Sequence, residues 1–272
     1  SKKILRIIDA HIHLHNEPYF YRIAEAAGHE NSLEHLQKSY EQYNIAHAII
    51  MSNRALDSEP LDYPAFLSYC VGLDGSWHHS VERAYLLLEK HLQRTNCVGI
   101  KLYPGYISRY VSDAIYQPVY ELAKQYKKPV AIHTGATASP NALLRYSHPL
   151  TVDEVAVEWP EVMFIMCHFG NPWFVDAAAV MDKNPNVAAD LSGILEGLVH
   201  MPDFFAENRL YLEQLQTWIS YMEDYERLLY GTDWPLANIG NYIDFTKRII
   251  PERHWENVFF QNANRIYKLN IR

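Results

Sequence analysis

The feature that most constrains this chain is a regular alternation of apolar, strand-like runs with segments of helical periodicity. Strands are expected at residues 4–13, 46–51, 67–73, 98–103, 130–133, 162–167, 187–191 and 228–230. Helical spacing occupies 33–43, 81–92, 114–125, 151–159, 173–182 and 202–226, and returns in the tail at 241–250 and 255–269. Strands that alternate with helices make βαβ units and a parallel sheet. From residue 5 to residue 228 the strand starts lie about 32 residues apart, the length of one βαβ unit. Eight such units in 272 residues predict an α/β fold, a (β/α)₈ TIM barrel, as a single domain over 1–272. A doubly wound open sheet is the alternative, but no GxGxxG follows the first strand.

Local signals refine this frame. Thr151 and Glu154 have capping-box spacing at the start of the fifth-unit helix. Lys127, Lys128 and Pro129 end the preceding one. The second unit is the weak one, because Pro60 and Pro64 interrupt the stretch between Met51 and Leu67. The aromatic-rich stretch 204–225 leaves two readings open, a homodimer face or a helix packed on the barrel.

Composition removes several classes. Hydrophobic residues make up 49% of the chain, enough to bury a core and offset the entropy of ordering. The formal charge is −8, the wrong sign for neutralising nucleic-acid phosphates. No apolar run reaches about 18 residues, so no spanning helix is expected. Cys70, Cys97 and Cys167 are an odd set without a CxxC pair, each in an apolar stretch, which predicts buried, reduced thiols. Residues 1–3 run straight into a strand without an apolar leader or cleavage site. Together these predict a cytoplasmic protein.

In a barrel, chemistry gathers at the C-terminal ends of the strands. The first strand ends in Asp9-Ala10-His11-Ile12-His13. Residues i and i+2 share a face, so His11 and His13 project together as a metal-ligand pair, with Asp9 expected on the same face to orient a ligand from behind. The fifth strand ends at His133, the sixth at His168 and the eighth at Asp233. One buried histidine at a strand end is usually a satisfied core group. Four histidines and an aspartate converging from four strands are better explained by a divalent metal. Lys101 ends the fourth strand. It is either a snorkelling strand-end lysine or a group that needs a substrate carboxylate, an acidic neighbour or conversion to a carbamate.

The set DAHIH, GIKLYPG, AIHTG, CHFGNPW, DLSG (from Asp190) and GTDWP resembles the amidohydrolase superfamily, most of all its amidohydrolase-related (amidohydrolase 2) branch of metal-dependent hydrolases. The resemblance runs from Asp9 to the closing Asn262-Ala263-Asn264-Arg265-Ile266-Tyr267 segment. It implies the same barrel, with His11, His13, His133 and Asp233 as ligands of one divalent ion, usually zinc. It also implies His168 as the group that activates water or polarises the substrate. In the two-metal form, a carboxylated Lys101 would bridge the ions and His133 and His168 would bind the second. One ion is the favoured reading. Three neutral imidazoles and a carboxylate leave an open position for water, with Asp233 to take its proton and His168 to serve the departing group.

Substrate-binding candidates are Lys101, Tyr103, Tyr106 and Arg109 after the fourth strand, Arg145 and Tyr146 after the fifth, and Asn171 and Trp173 after the sixth. The two arginines suit a bidentate grip on a carboxylate, or are ordinary surface residues. The expectation is a metal-dependent hydrolase acting on a small carboxylated lactone, amide or ring substrate. The alternatives are a metal-dependent decarboxylase of the same superfamily and a non-catalytic metal-binding barrel. A metal-dependent nuclease is disfavoured by the acidic charge and by Lys101, where such barrels carry Glu.

Overall fold

A computed structural model describes residues 4–272. The reading of residues 1–3 lies outside the described residues. Eight strands form one parallel sheet in sequential order: β1 Ile7–Ile12, β2 Ile45–Met51, β3 Leu67–Gly72, β4 Cys97–Leu102, β5 Val130–His133, β6 Phe164–Cys167, β7 Val187–Asp190 and β8 Leu228–Leu229. The sheet closes on itself beyond β8, where Ala10 N donates to Tyr230 O (3.0 Å), Asp233 N to His11 O (2.8 Å) and His13 N to Trp234 O (2.7 Å). A (β/α)₈ barrel results, as the strand spacing predicts.

The helices are α1 Pro18–Ala26, α2 Leu33–Tyr43, α3 Val81–Leu92, α4 Gln117–Tyr126, α5 Leu150–Glu158, α6 Phe174–Lys183, α7 Met201–Glu207, α8 Arg209–Met222, α9 Ile239–Ile249 and α10 Asn262–Ile266. Helix α1 was not anticipated. Its sequence signal is Pro18 at the first helical position, where the missing N–H leaves nothing unsatisfied. The long helical region expected at 202–226 is two helices, broken at Asn208. The capping box at Thr151 is absent. Pro149 precedes the helix, α5 begins one residue earlier than expected, and the Thr151 hydroxyl donates back to His148 O (2.6 Å). No helix joins β2 to β3: residues 52–66 are a loop, since Pro60 and Pro64 remove backbone donors a helix would use.

Two apolar layers follow from strand alternation. One lies between the sheet and the helices and includes Ile7, Ile12, Ile50, Leu102, Ile132 and Phe164. The other fills the barrel interior. There Ile8, Ala10, Ile49, Met51, Cys70, Ala131, Ile165, Cys167, Ala188 and Leu229 meet Phe260, Ala263, Ile266 and Tyr267 from the C-terminal segment. All three cysteines are free and buried. No helix among the described residues is long and apolar enough to cross a membrane.

Candidate metal centre

His13, Lys101, His133, His168 and Asp233 line one cavity of about 830 Å³ at the C-terminal mouth of the barrel, with His11 buried beside them. His11, His13 and Asp233 form its tightest group. The Nε2 atoms of His11 and His13 lie 3.3 Å apart. Asp233 Oδ1 is 3.2 Å from the first and 3.0 Å from the second. Their orientation is fixed from behind. His11 Nδ1 donates to Asp190 Oδ2 (2.9 Å) and His13 Nδ1 to Asn53 Oδ1 (2.6 Å). With both rings held from behind at Nδ1, both Nε2 atoms face the carboxylate oxygen, so three potential ligand atoms converge on one point.

Asp9 does not share that face. The pairing of β1 with β2 slips between Asp9 and Ile12, and such a bulge re-aims the side chains beyond it. Ile8 and Ala10 belong to the barrel interior, so Asp9 between them turns outward, beside Tyr40 and Tyr230. Beyond the slip His11 and His13 face inward. Asp9 instead fastens the barrel seam, accepting from Thr232 Oγ1 (2.6 Å), Thr232 N (3.0 Å) and His11 N (3.2 Å). Burial pushes its carboxyl up to about 7 against those hydrogen bonds. The carboxylate that orients a ligand imidazole is Asp190, at the end of β7.

Asp190 also builds the sixth-strand end. Its Oδ1 accepts from His168 N (3.0 Å), Ser192 N (3.1 Å) and Ser192 Oγ (2.6 Å). His168 Nδ1 donates to Ser192 O (2.9 Å), which leaves its Nε2 bare toward the cavity. His168 has φ 67° and Phe169 φ 45°, conformations that non-glycine residues adopt only when their surroundings impose them. Gly193 explains part of the geometry: a Cβ there would stand 2.5 Å from His168 Nδ1. The His168 ring lies 5.0 Å from that of His11 and 5.2 Å from that of His133. His133 is buried, and its Nε2 has no hydrogen-bond partner.

The electrostatics favour a cation here. Burial alone would raise the Asp233 carboxyl, yet His11 and His13 beside it hold it well below the carboxylate range. Burial and Lys101 oppose protonation of His11, but Asp190 and Asp233 hold its imidazole above its ordinary value. Burial pushes His133 well down and His168 down to about 4, so both stay neutral at pH 7. Ligand atoms of His11, His168 and Asp233 all lie within 4.8 Å of one another. Converging nitrogen and oxygen atoms, an orphaned buried nitrogen and a low-lying carboxylate match the donor chemistry of a divalent metal site.

Of the remaining candidates, Lys101, Tyr103, Tyr106 and Asn171 line this cavity. Lys101 is 1% exposed, with its Nζ 4.9 Å from the centre of the Tyr103 ring and no ion pair among the described residues. The Tyr103 hydroxyl donates to Ser52 O (2.5 Å). The Tyr106 ring lies tilted beside that of His133, 5.0 Å between centres. Asn171 accepts from Tyr211. Arg109, Arg145 and Trp173 stand apart from the metal cavity. Arg109 pairs with Asp113 (3.2 Å). Arg145 packs on Tyr146 and, with Trp173, lines a separate cavity of about 540 Å³. Sequence reasoning had no role for Asn53, Ser192, Glu17, Tyr19 or Glu196, all at or behind the mouth. Asp190 could have been found by the rule used for the others, an acid that ends an apolar strand. Asn53 follows β2 without any such mark.

Fold and site together define a (β/α)₈ barrel with a histidine–aspartate cluster at its mouth. The chain belongs to the amidohydrolase family, whose model, described as Amidohydrolase, matches residues 8–269. It is 23% identical over 266 residues to Protein fluG of Emericella nidulans, covering 88% of this chain but only 29% of that protein. Among solved structures it resembles an uncharacterised TIM-barrel protein from Bordetella bronchiseptica (TM-score 0.73, 19% identity, 97% and 99% of the two chains). It also resembles a dihydroxybenzoic acid decarboxylase from Polaromonas sp. JS666, solved with manganese and an inhibitor (TM-score 0.69, 14% identity, 100% and 98%). A third is a probable 2-pyrone-4,6-dicarboxylic acid hydrolase from Acinetobacter baumannii, solved with citric acid (TM-score 0.64, 13% identity, 98% and 100%). These structural neighbours thus include a decarboxylase and a probable hydrolase.

Proposed function

We propose that this protein is a metal-dependent hydrolase that opens a lactone, amide or ring bond in a small carboxylated substrate. The observation that carries the reading is the convergence of His11 Nε2, His13 Nε2 and Asp233 Oδ1, with both Nδ1 protons held elsewhere. His11, His13, Asp233 and the orphaned His133 would hold one divalent ion. Nitrogen-rich donors with one carboxylate suit zinc. Such an ion supplies Lewis acidity, which polarises a carbonyl oxygen and acidifies water.

The chain's own residues do the rest. Lys101 is a buried, unpaired ammonium inside the cavity, and burying such a charge is costly unless a counter-charge arrives. A substrate carboxylate supplies that charge and is oriented by it. Asp233 commits Oδ1 to the imidazoles and keeps Oδ2 as a proton acceptor. His168, neutral and bare at Nε2, holds or moves a proton at the departing group. Phe20, Ile23 and Leu236 line the cavity and limit water around the reacting atoms. The small-acid reading also accords with the cavity's place in the chain: Lys101 supplies its cation, while Arg109 and Arg145 lie outside it.

The test is metal analysis followed by turnover of carboxylated lactones and N-acyl amino acids in ¹⁸O-water. One zinc equivalent and ¹⁸O in the product are expected. Release of CO₂ without ¹⁸O incorporation would replace hydrolysis by decarboxylation. Two zinc equivalents, or a 44 Da addition on Lys101, would overturn the single-ion site.

A further inference from the structure

Residues 52–66 stand where a barrel helix is missing, yet the loop is anchored by buried polar groups. Glu59 is 7% exposed and Ser52 2%. The Glu59 carboxylate accepts hydrogen bonds from the Ser52 hydroxyl at Oε2 and from Tyr63 Oη at Oε1 (2.7 Å). Ser52 in turn has every polar atom engaged. Its N donates to Cys70 O (3.1 Å), its Oγ accepts from Arg54 N (3.1 Å) and its O accepts from Tyr103 Oη (2.5 Å). Its carbonyl is also wedged against β3: a Cβ on Gly72 would lie 2.2 Å from Ser52 O. The far side of the loop is tied separately. His91 of α3 donates from Nε2 to Leu56 O (2.7 Å), and its Nδ1 accepts from Tyr69 Oη (2.8 Å).

The next residue after Ser52 is Asn53, whose Oδ1 fixes the His13 imidazole. Tyr103, held by the Ser52 carbonyl, presents its ring to Lys101. A carboxylate outside the cavity therefore sets two groups inside it. We infer that Glu59 is a positioning residue: through Ser52 it places Asn53 and Tyr103, and so aligns His13 for metal and Lys101 for substrate. This inference rests on the metal-site reading above. The chemistry is general, since partners behind a ligand imidazole fix its tautomer and tune metal affinity, and a buried polar network holds its members only while every one is satisfied.

The experiment measures zinc affinity by chelator competition, alongside thermal stability, in the intact protein. The wild type and His13→Ala come first. Zinc binding that His13→Ala does not weaken would refute the metal site itself, whatever Glu59 does. Given that site, Glu59→Ala should weaken zinc binding about tenfold, the lower end for residues behind a ligand. Glu59→Gln, which keeps one acceptor oxygen for Ser52, should recover most of the loss. Leu56→Ala removes an apolar side chain that packs the same loop into the core, and should lower stability while leaving zinc affinity within about twofold. Unchanged zinc affinity in Glu59→Ala would overturn the inference. So would equal weakening by Glu59→Ala and Leu56→Ala, which would mark a general loosening of the loop. Should Glu59→Ala fail to fold, Ser52→Ala breaks the same link and should weaken zinc binding. A normal affinity there would refute the proposal.

Discussion

The same eight strands have two unlike ends. Along their lower halves the interior is apolar: Ile8, Ile49, Ile165 and Leu229 pack against Phe260 and Ile266. A few residues further on, the interior becomes His11, His13, Lys101, His133, His168, Asp190 and Asp233, all buried or nearly so. The lower end is held together mainly by apolar contact. The upper end holds ligand atoms that face one another, a lysine with no ion pair among the described residues and a His133 nitrogen without a hydrogen-bond partner. The floor supplies stability that the mouth does not need to supply, and the mouth can hold groups that are satisfied only when something binds.

That contrast can be broken from either side. The largest effect is expected at the mouth, where Asp233→Asn should lower kcat/KM by on the order of 10³-fold, the scale of a lost proton acceptor and ligand, with little change in thermal unfolding. Activity and melting scans of the same sample would check it. At the floor, Phe260→Ala should destabilise the fold by about 3 kcal/mol through the cavity it leaves, while zinc affinity stays as in the wild type. A matching loss of zinc binding would mean that the two ends are coupled. Lys101→Met should act oppositely on the two properties. It should raise KM for carboxylated substrates, and it should stabilise the substrate-free protein by about 1 kcal/mol, because a buried unpaired charge disappears. Chemical denaturation of both proteins would show whether it does.

The smallest effect lies at the floor, on the face of β2 that carries Ile49 and Met51. His47 on β2 bonds Ser68 Oγ (2.7 Å), and burial pushes its imidazole down to about 4. The unfolded chain takes up a proton near pH 6.5 that the folded protein refuses until about pH 4. Stability therefore falls as pH drops through that window and stops falling below it. His47→Gln should flatten that loss by on the order of 1 kcal/mol, leaving the mouth unaffected.

Strand and helix periodicity made the barrel legible, because buried parallel strands and amphipathic helices leave unlike patterns. The chemistry at the mouth was legible for a related reason. An ionisable residue ending an apolar run is conspicuous, and His11, His13, His133, His168 and Asp233 all stand that way. What failed were inferences about direction. Alternation alone put Asp9 beside His11 and His13. One slipped residue against β2 turns Asp9 to the seam and leaves Asp190, 179 positions along the chain from His11, to hold the imidazole. Arg109 and Arg145 followed the right strands, yet their loops carry them to Asp113 and to a separate cavity.

The sequence by itself determined the barrel and marked the ionisable residues that the fold gathers at its mouth, since both are written in local spacing. Only the tertiary structure decided which carboxylate backs which imidazole, that Asn53 and Ser192 belong to the centre, and that Glu59 reaches it through Ser52. Those relations join residues distant along the chain. They depend on a bulge, on a loop in place of a helix and on where the barrel closes, and none of these leaves a period in the sequence.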